Sequence, residues 1–124
     1  MLNLSVLPFS LAIVRLNPGS LIPAWAMKGE FFSVTKTSEE LSIVCLEKDL
    51  PGDIKAEKDW KMFKVEGPLD FSMTGVLSSL ALPLAQGKIS IFAVSTYDTD
   101  DLLVKAKDLD RAVETLSRFC KIRK

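Results

Sequence analysis

The chain has 124 residues, 48% of them hydrophobic and 26% charged, with 16 Lys plus Arg balanced by 16 Asp plus Glu. That composition suits one medium domain or two very small ones around a packed core, argues against disorder, and leaves no net field to draw in nucleic acid or an anionic membrane. Histidine is absent, which removes the commonest general base, the Ser-His and Cys-His dyads and the usual metal ligand, and so weighs against hydrolase and metalloenzyme chemistry.

In chain order, the opening MLNLSVLPFSLAIVRL is apolar enough to suggest a secretory leader. It has no basic start, Pro8 interrupts it and no small-residue cleavage motif follows, so two short strands are expected instead, Leu4–Leu7 and the alternating run from Phe9 to Val14. No run is long enough to span a membrane. Asn17-Pro18-Gly19-Ser20 reads as a turn, and Ile22 to Met27 allows a short helix with Pro23 in its first turn. Phe31–Lys36 and Leu41–Leu46 read as strands around a turn at Thr37–Glu40. Leu50-Pro51-Gly52-Asp53 breaks the chain, with Asp53 capping a single helical turn before the strand Trp60–Val65.

From Thr74 to Gln86 the apolar positions Val76, Leu77, Leu80, Ala81 and Leu84 form the stripe of a helix burying one face. Gly87 stands where a helix-ending glycine with positive φ belongs. Ile89–Thr96 reads as a covered strand, Tyr97 to Asp101 as a polar turn, and Leu102–Val104 as the returning strand. Asp108 is placed as the N-cap of a last helix whose stripe runs Leu109, Ala112, Val113, Leu116, Phe119 and Cys120, and Lys121–Lys124 as a frayed basic tail. Cys45 and Cys120 both fall on apolar faces, which suits buried free thiols in a reducing compartment. Trp25 and Trp60 are expected in a core or an interface.

The two halves repeat. Phe31 to Thr35 falls over Ile91 to Ser95, Ile43-Val44 over Leu103-Val104, and, one residue later, Asp49-Leu50 over Asp108-Leu109. Two copies of one strand-helix-strand-strand-helix unit imply an α+β protein of two ferredoxin-like βαββαβ units, residues 1–60 and 61–124. The second copy lacks a closing strand in its own stretch. The spare strand Leu4–Leu7 is therefore expected to complete it.

Thr74-Gly75-Val76-Leu77 followed by Gly87-Lys88-Ile89-Ser90-Ile91 resembles the ACT-domain pattern, in which a glycine opens the first helix and Gly-x-Ile-x-Ile begins the second strand. Ser95-Thr96-Tyr97-Asp98-Thr99-Asp100 before Leu102-Leu103-Val104 is similar to the narrower group of paired ACT domains related to the CASTOR arginine sensors. The resemblance covers Phe31 to Phe119 and is concentrated between Thr74 and Val104. The first half, with its short helix, is a degenerate unit. The resemblance implies a non-catalytic regulatory protein that binds a free amino acid at an interface between ACT units, as a cytoplasmic homodimer with no cofactor, no metal, no nucleic acid and no membrane.

Physical reasoning gives the same place. In a right-handed β-α-β crossover the loop Pro68–Thr74 and the turn Tyr97–Asp101 meet at one edge of the sheet. Helix N–H groups there suit a carboxylate and aspartates suit an ammonium. The expected ligand-binding residues are Thr74, Gly75, Val76, Leu77, Ser79, Thr99 and Asp100, with Asp101 facing solvent. Three aspartates in a hairpin are more often turn chemistry and a solvated loop than a ligand clamp. Ser78 and Ser79 are expected to face solvent or bond back to the helix. Pro83 removes the N–H that would reach the Ser79 carbonyl, a cost of about 3 kcal/mol in a helix interior. A tolerated kink is the favoured reading and a carbonyl left free for a partner the other. Rival functions are an RNA-recognition domain, for which Lys61 to Val65 supplies a single stacking aromatic, an enzyme using Asp70 with Lys88 or Tyr97, and a ligand-free structural module.

Overall fold

The computed structural model describes residues 2–67, 69 and 74–124. Most of the loop Pro68–Thr74, Asp70 included, lies outside the described residues. In chain order the elements are β1 (Leu2–Val6), β2 (Leu11–Leu16), β3 (Ser33–Lys36), β4 (Leu41–Leu46), β5 (Glu57–Val65), α1 (Val76–Gln86), β6 (Ile91–Ser95), β7 (Asp100–Lys105), α2 (Leu109–Leu116) and β8 (Cys120–Arg123). They form two compact units, one of Phe9–Trp60 and one of Met1–Pro8 with Lys61–Lys124.

In the N-terminal unit the strand order is β3-β4-β2-β5, the order of a ferredoxin-like sheet. The β3–β4 turn closes where expected: Thr37 N–H donates to the Glu40 carbonyl at 2.9 Å, and its Oγ1 accepts from the N–H groups of Glu39 and Glu40 at 3.1 Å. Alternating residues of β2 and β4 supply a core of Ala12, Val14, Leu41, Ile43 and Cys45, against which Trp25 packs. The short helix is reduced to the 3-10 turn Ala24–Met27, because the backbone is extended at Pro23 on one side and at Lys28 on the other. No helical turn forms at Asp53. The second helical position is the 3-10 turn Glu47–Asp49, and β5 begins at Glu57 rather than Trp60. A bulge explains the longer strand: Asp59 takes φ 65° and donates its N–H to Glu47 Oε1 at 2.8 Å while the pairing with β2 shifts register.

The C-terminal unit has strand order β8-β1-β5-β7-β6. β1 runs antiparallel to β5, with Leu4 opposite Val65, and parallel to β8, with Leu2 opposite Cys120. The N-terminal strand thus completes the unit, as expected. Leu4, Phe63, Val65, Leu102 and Val104 present one face of the sheet to Leu80 and Leu84 of α1 and Leu116 of α2. Both cysteines are free and buried. Burial, aided by the charge of Asp49, pushes the Cys45 thiol up to about 11, and burial also raises that of Cys120.

Four local expectations are corrected here. α2 stops at Leu116, Phe119 is exposed, and Cys120–Arg123 is a strand instead of the end of a helix and a frayed tail. The open edge of β1 offers unpaired backbone groups, and pairing with it outweighs one further turn of helix. At the end of α1, Gly87 keeps a negative φ and Lys88 takes φ 59°. The bonds Ile89 N–H to Leu84 O (2.9 Å) and Lys88 N–H to Ala85 O (3.0 Å) form a Schellman motif, which requires the left-handed residue directly before Ile89. Asp108 stands at the N-cap position of α2, as expected, but its side chain makes no capping bond: the 3-10 turn Ala106–Asp108 already leads into the helix, and Asp108 Oδ1 accepts from Arg111 Nη2 at 3.0 Å. The turn between β6 and β7 is also shorter than expected, since Asp100 and Asp101 already belong to β7.

Leu4 is 1% exposed in the C-terminal core although it lies far from that unit in sequence. Leu4→Ala is expected to cost about 2–5 kcal/mol in denaturant unfolding, while Asn3→Ser, on the exposed side of the same strand, stays within about 0.5 kcal/mol.

Candidate functional site

The site grows from the β6–β7 hairpin, whose register runs from Ile91 opposite Val104 to Ser95 opposite Asp100. Threonine chemistry closes the turn. Thr96 donates its N–H to the Thr99 carbonyl at 2.8 Å, and its Oγ1 accepts the Thr99 N–H at 3.3 Å. The turn is then fastened to the end of β5: Thr99 Oγ1 donates to the Val65 carbonyl, and the Leu69 N–H donates to the Asp98 carbonyl at 2.6 Å. A Cβ on Gly67 would lie 2.7 Å from that same Asp98 oxygen, so the approach of loop and turn needs a glycine there. The meeting of the loop after β5 with the hairpin turn, expected from crossover geometry, is present.

Gly75 opens α1 at φ 77°, a conformation glycine adopts at no steric cost. Its carbonyl accepts the first helical bond, from Ser79 N–H at 2.9 Å. The N–H groups of Val76 and Leu77 lie in the first turn, where the helix supplies no acceptor. Thr74 and Gly75 are exposed, and Val76 and Leu77 are half-buried against the C-terminal core. Ser78 Oγ and Ser79 Oγ bond back to the carbonyls of Gly75 and Val76, at 3.2 and 2.7 Å.

The aspartates divide differently from the expectation. Asp100 is half-buried and its Oδ1 accepts from Ser95 Oγ across the hairpin at 2.6 Å. Asp101 does not face solvent: it is 4% exposed. Strand alternation is the reason. Leu102 and Val104 point into the core beneath the helices, so Asp101 points with Leu103 to the other face of the sheet, where Lys64 of β5 is charged beside it. Burial pushes the Asp101 carboxyl up to about 6, Lys64 draws it part of the way back, and Asp100 adds to the rise. Reading Asp100 and Asp101 as the start of β7 puts Asp101 in register with Leu103; reading the aspartates as a turn hides this.

Two hollows bounded by described residues lie in this unit. One, of about 460 Å³, is lined by Asn3, Leu4, Glu66, Lys121, Ile122 and Arg123. There Glu66 accepts from Ser5 Oγ at 3.0 Å and faces Arg123 at 3.9 Å and Lys64 at 4.0 Å, exposed pairs of small energetic worth. The other is a cleft of about 530 Å³ along α1, and it is this cleft that Ser79 lines, with Leu82, Pro83 and Phe119. Lys88 belongs to the helix-ending motif and Tyr97 to the hairpin turn, while Asp70 lies outside the described residues.

A family model for the ACT domain matches residues 55–118, and a second, for an N-terminal domain, matches residues 10–53. The chain is 33% identical over 100 residues to the cytosolic arginine sensor for mTORC1 subunit 1 of Bos taurus, covering 72% of this chain and 30% of that protein. It is 37% identical over 101 residues to CASTOR3P of Homo sapiens, covering 71% of this chain and 62% of that one. The chain therefore spans less than two thirds of the length of either relative. Among solved structures it is similar to the X-ray crystal structure of protein Atu0741 from Agrobacterium tumefaciens, with 41% identity, a TM-score of 0.92, and coverage of 98% of this chain and 91% of that chain.

A carboxyl whose pKa is higher in the folded chain than in the unfolded one holds its proton more tightly when folded. Asp101 is thus neutral to stability below its unfolded value of 3.8 and increasingly unfavourable as pH rises to about 6. Asp101→Asn removes that dependence. Denaturant unfolding is expected to show variant and wild type alike near the unfolded pKa, and the variant more stable at neutral pH by up to about 2–3 kcal/mol.

Proposed function

The chain belongs to the ACT-domain family, and on that footing we propose that it is a regulatory protein that binds a free amino acid and performs no chemistry on it. Residues 1–60 and 61–124 are read as two ACT units, the first degenerate, with β1 lent to the second. The observation that carries the reading is the hairpin turn fastened by Thr99 to β5 and by the Asp98 carbonyl to the loop ahead of α1. A rigid anchor of that kind holds Asp100 in one place without relying on the ligand.

In this reading the ligand carboxylate takes the N–H groups of Gly75, Val76 and Leu77, bordered by Thr74, and its ammonium takes Asp100 beside Thr99, with Ser79 along the helix from them. Asp100 has the capacity: a carboxylate offers roughly four acceptor positions, and Ser95 Oγ occupies one. The relatives named as arginine sensors make arginine the first ligand to try. Those relatives are also named as cytosolic, which supports reading this chain as a cytoplasmic protein. A homodimer supplies the second ACT surface that completes the site.

Calorimetric titration with a panel of amino acids, arginine first, tests the proposal. Asp100→Ala is expected to weaken binding well over tenfold, since removing one partner of a buried charge-assisted contact costs about 2–5 kcal/mol. Asp98→Ala, whose side chain is exposed in the turn, serves as the control and leaves affinity unchanged. Unchanged affinity in Asp100→Ala refutes the site; no binding of any amino acid at millimolar concentration refutes the sensor and leaves the ligand-free structural module. Sedimentation is expected to give a dimer of 13.7 kDa chains, and a monomer alone at tens of micromolar, on the order of the concentrations at which such pairs persist, overturns the dimer.

A further inference from the structure

The sequence of α1, VLSSLALPLAQ, contains no charged residue, although much of the helix is open to solvent. Its flank forms the cleft of about 530 Å³, walled by Leu2, Ser79, Leu82, Pro83, Gln86 and Phe119, with the buried Cys120 beside them. Leu82 and Phe119 are 60% and 53% exposed, unusual for large apolar side chains lying together. The volume falls in the range of small-molecule clefts, roughly 300–1,000 Å³.

The polar groups of the cleft are as informative as the apolar ones. Pro83 has no N–H, so the carbonyl of Ser79 lacks its helical donor. Ser79 and Pro83 both line the cleft, so the residue whose carbonyl loses its donor borders it. The Ser79 hydroxyl spends its proton on the Val76 carbonyl at 2.7 Å and keeps its lone pairs. The Cys120 thiol, raised by burial, is neutral. The cleft is thus apolar, uncharged and weighted towards acceptors, with the Gln86 amide at its rim. An ionic ligand would leave water with nothing to replace its hydration. A second copy laid along β8 would set Lys121 and Arg123 against the same charges, the arrangement by which edge strands resist pairing.

We propose that this cleft, separate from the opening of α1 at Gly75, is a second binding site, for a small neutral molecule with a flat apolar body and one N–H donor directed at the Ser79 carbonyl. Phe119 and the Pro83 ring face the flat body, and Leu2 and Leu82 close its edges.

Indole and N-methylindole differ in that donor alone and serve as probes in backbone amide NMR titrations of the full chain. Indole is expected to give saturable shifts at Leu82, Gln86, Phe119 and Cys120 and to bind roughly fivefold more tightly than N-methylindole, the worth of one net hydrogen bond. Pro83→Ala returns an N–H to the Ser79 carbonyl, keeps a good helix former at that position, and is expected to bind both probes alike. Leu82→Lys, at an exposed position, is expected to abolish binding of both while leaving the fold intact. Absence of saturable indole shifts up to its solubility, shifts confined to Gly75 or Thr99, or an undiminished preference for indole in Pro83→Ala overturns the proposal. Asp100→Ala is expected to leave indole affinity unchanged, so this site and the amino-acid site stand or fall separately.

Discussion

The pairing of β1 with β5 is the constraint on which the C-terminal unit depends. β5 pairs with β7 and, near Glu57 and Trp60, with β2; without β1 its stretch Phe63–Val65 would lose the partner that β1 supplies. Leu4 would then be lost from the core formed with Phe63, Val65 and Leu116. β8 would lose its only sheet partner among the described strands. One strand of five residues therefore fixes both the core and the last element of the chain. It also makes the unit discontinuous in sequence, because Leu4 meets Val65 and Ile122, and long loops must close before those contacts form.

The same sheet determines what the hairpin can offer. Because strand side chains alternate, adjacent aspartates at its end have opposite fates. Asp100 remains partly open beside Ser95, while Asp101 is buried near Lys64. A buried carboxyl of raised pKa opposes folding at neutral pH, and the unit carries it next to the residue proposed to hold the ligand. The fastening of the turn by Thr96 and Thr99 keeps both in place.

α1 departs from ordinary helix rules at its start, middle and end. It opens on a left-handed glycine without a side-chain cap, contains a proline, and closes through a left-handed lysine. Departures of this kind concentrate where a fold is used for something besides folding. Here the first leaves the opening of the helix without a side-chain cap, and the second removes the N–H that the Ser79 carbonyl would accept in a regular helix. The third is structural, since Ile89 must turn back onto Leu84 to enter the core.

The sequence by itself determined the repeating strand-helix-strand-strand plan, the family, the inward face of α1 and the glycine at its opening, because each rests on local periodicity or on a motif contiguous in the chain. β4 was legible to the residue, since β-branched residues and sharp turn formers bound it. Burial of both cysteines was legible from the apolar faces they occupy. Only the tertiary structure decided that Cys120–Arg123 is a strand, that Asp101 is inside and that Ser79 belongs to a cleft shared with Phe119. In each case the deciding partner is remote in sequence: the open edge of β1, the sheet neighbour β5 that carries Lys64 beside the face holding Asp101, and the chain after α2. A local pattern records a residue's preference, while the unpaired edge or the packed face that overrides it is created by segments far along the chain.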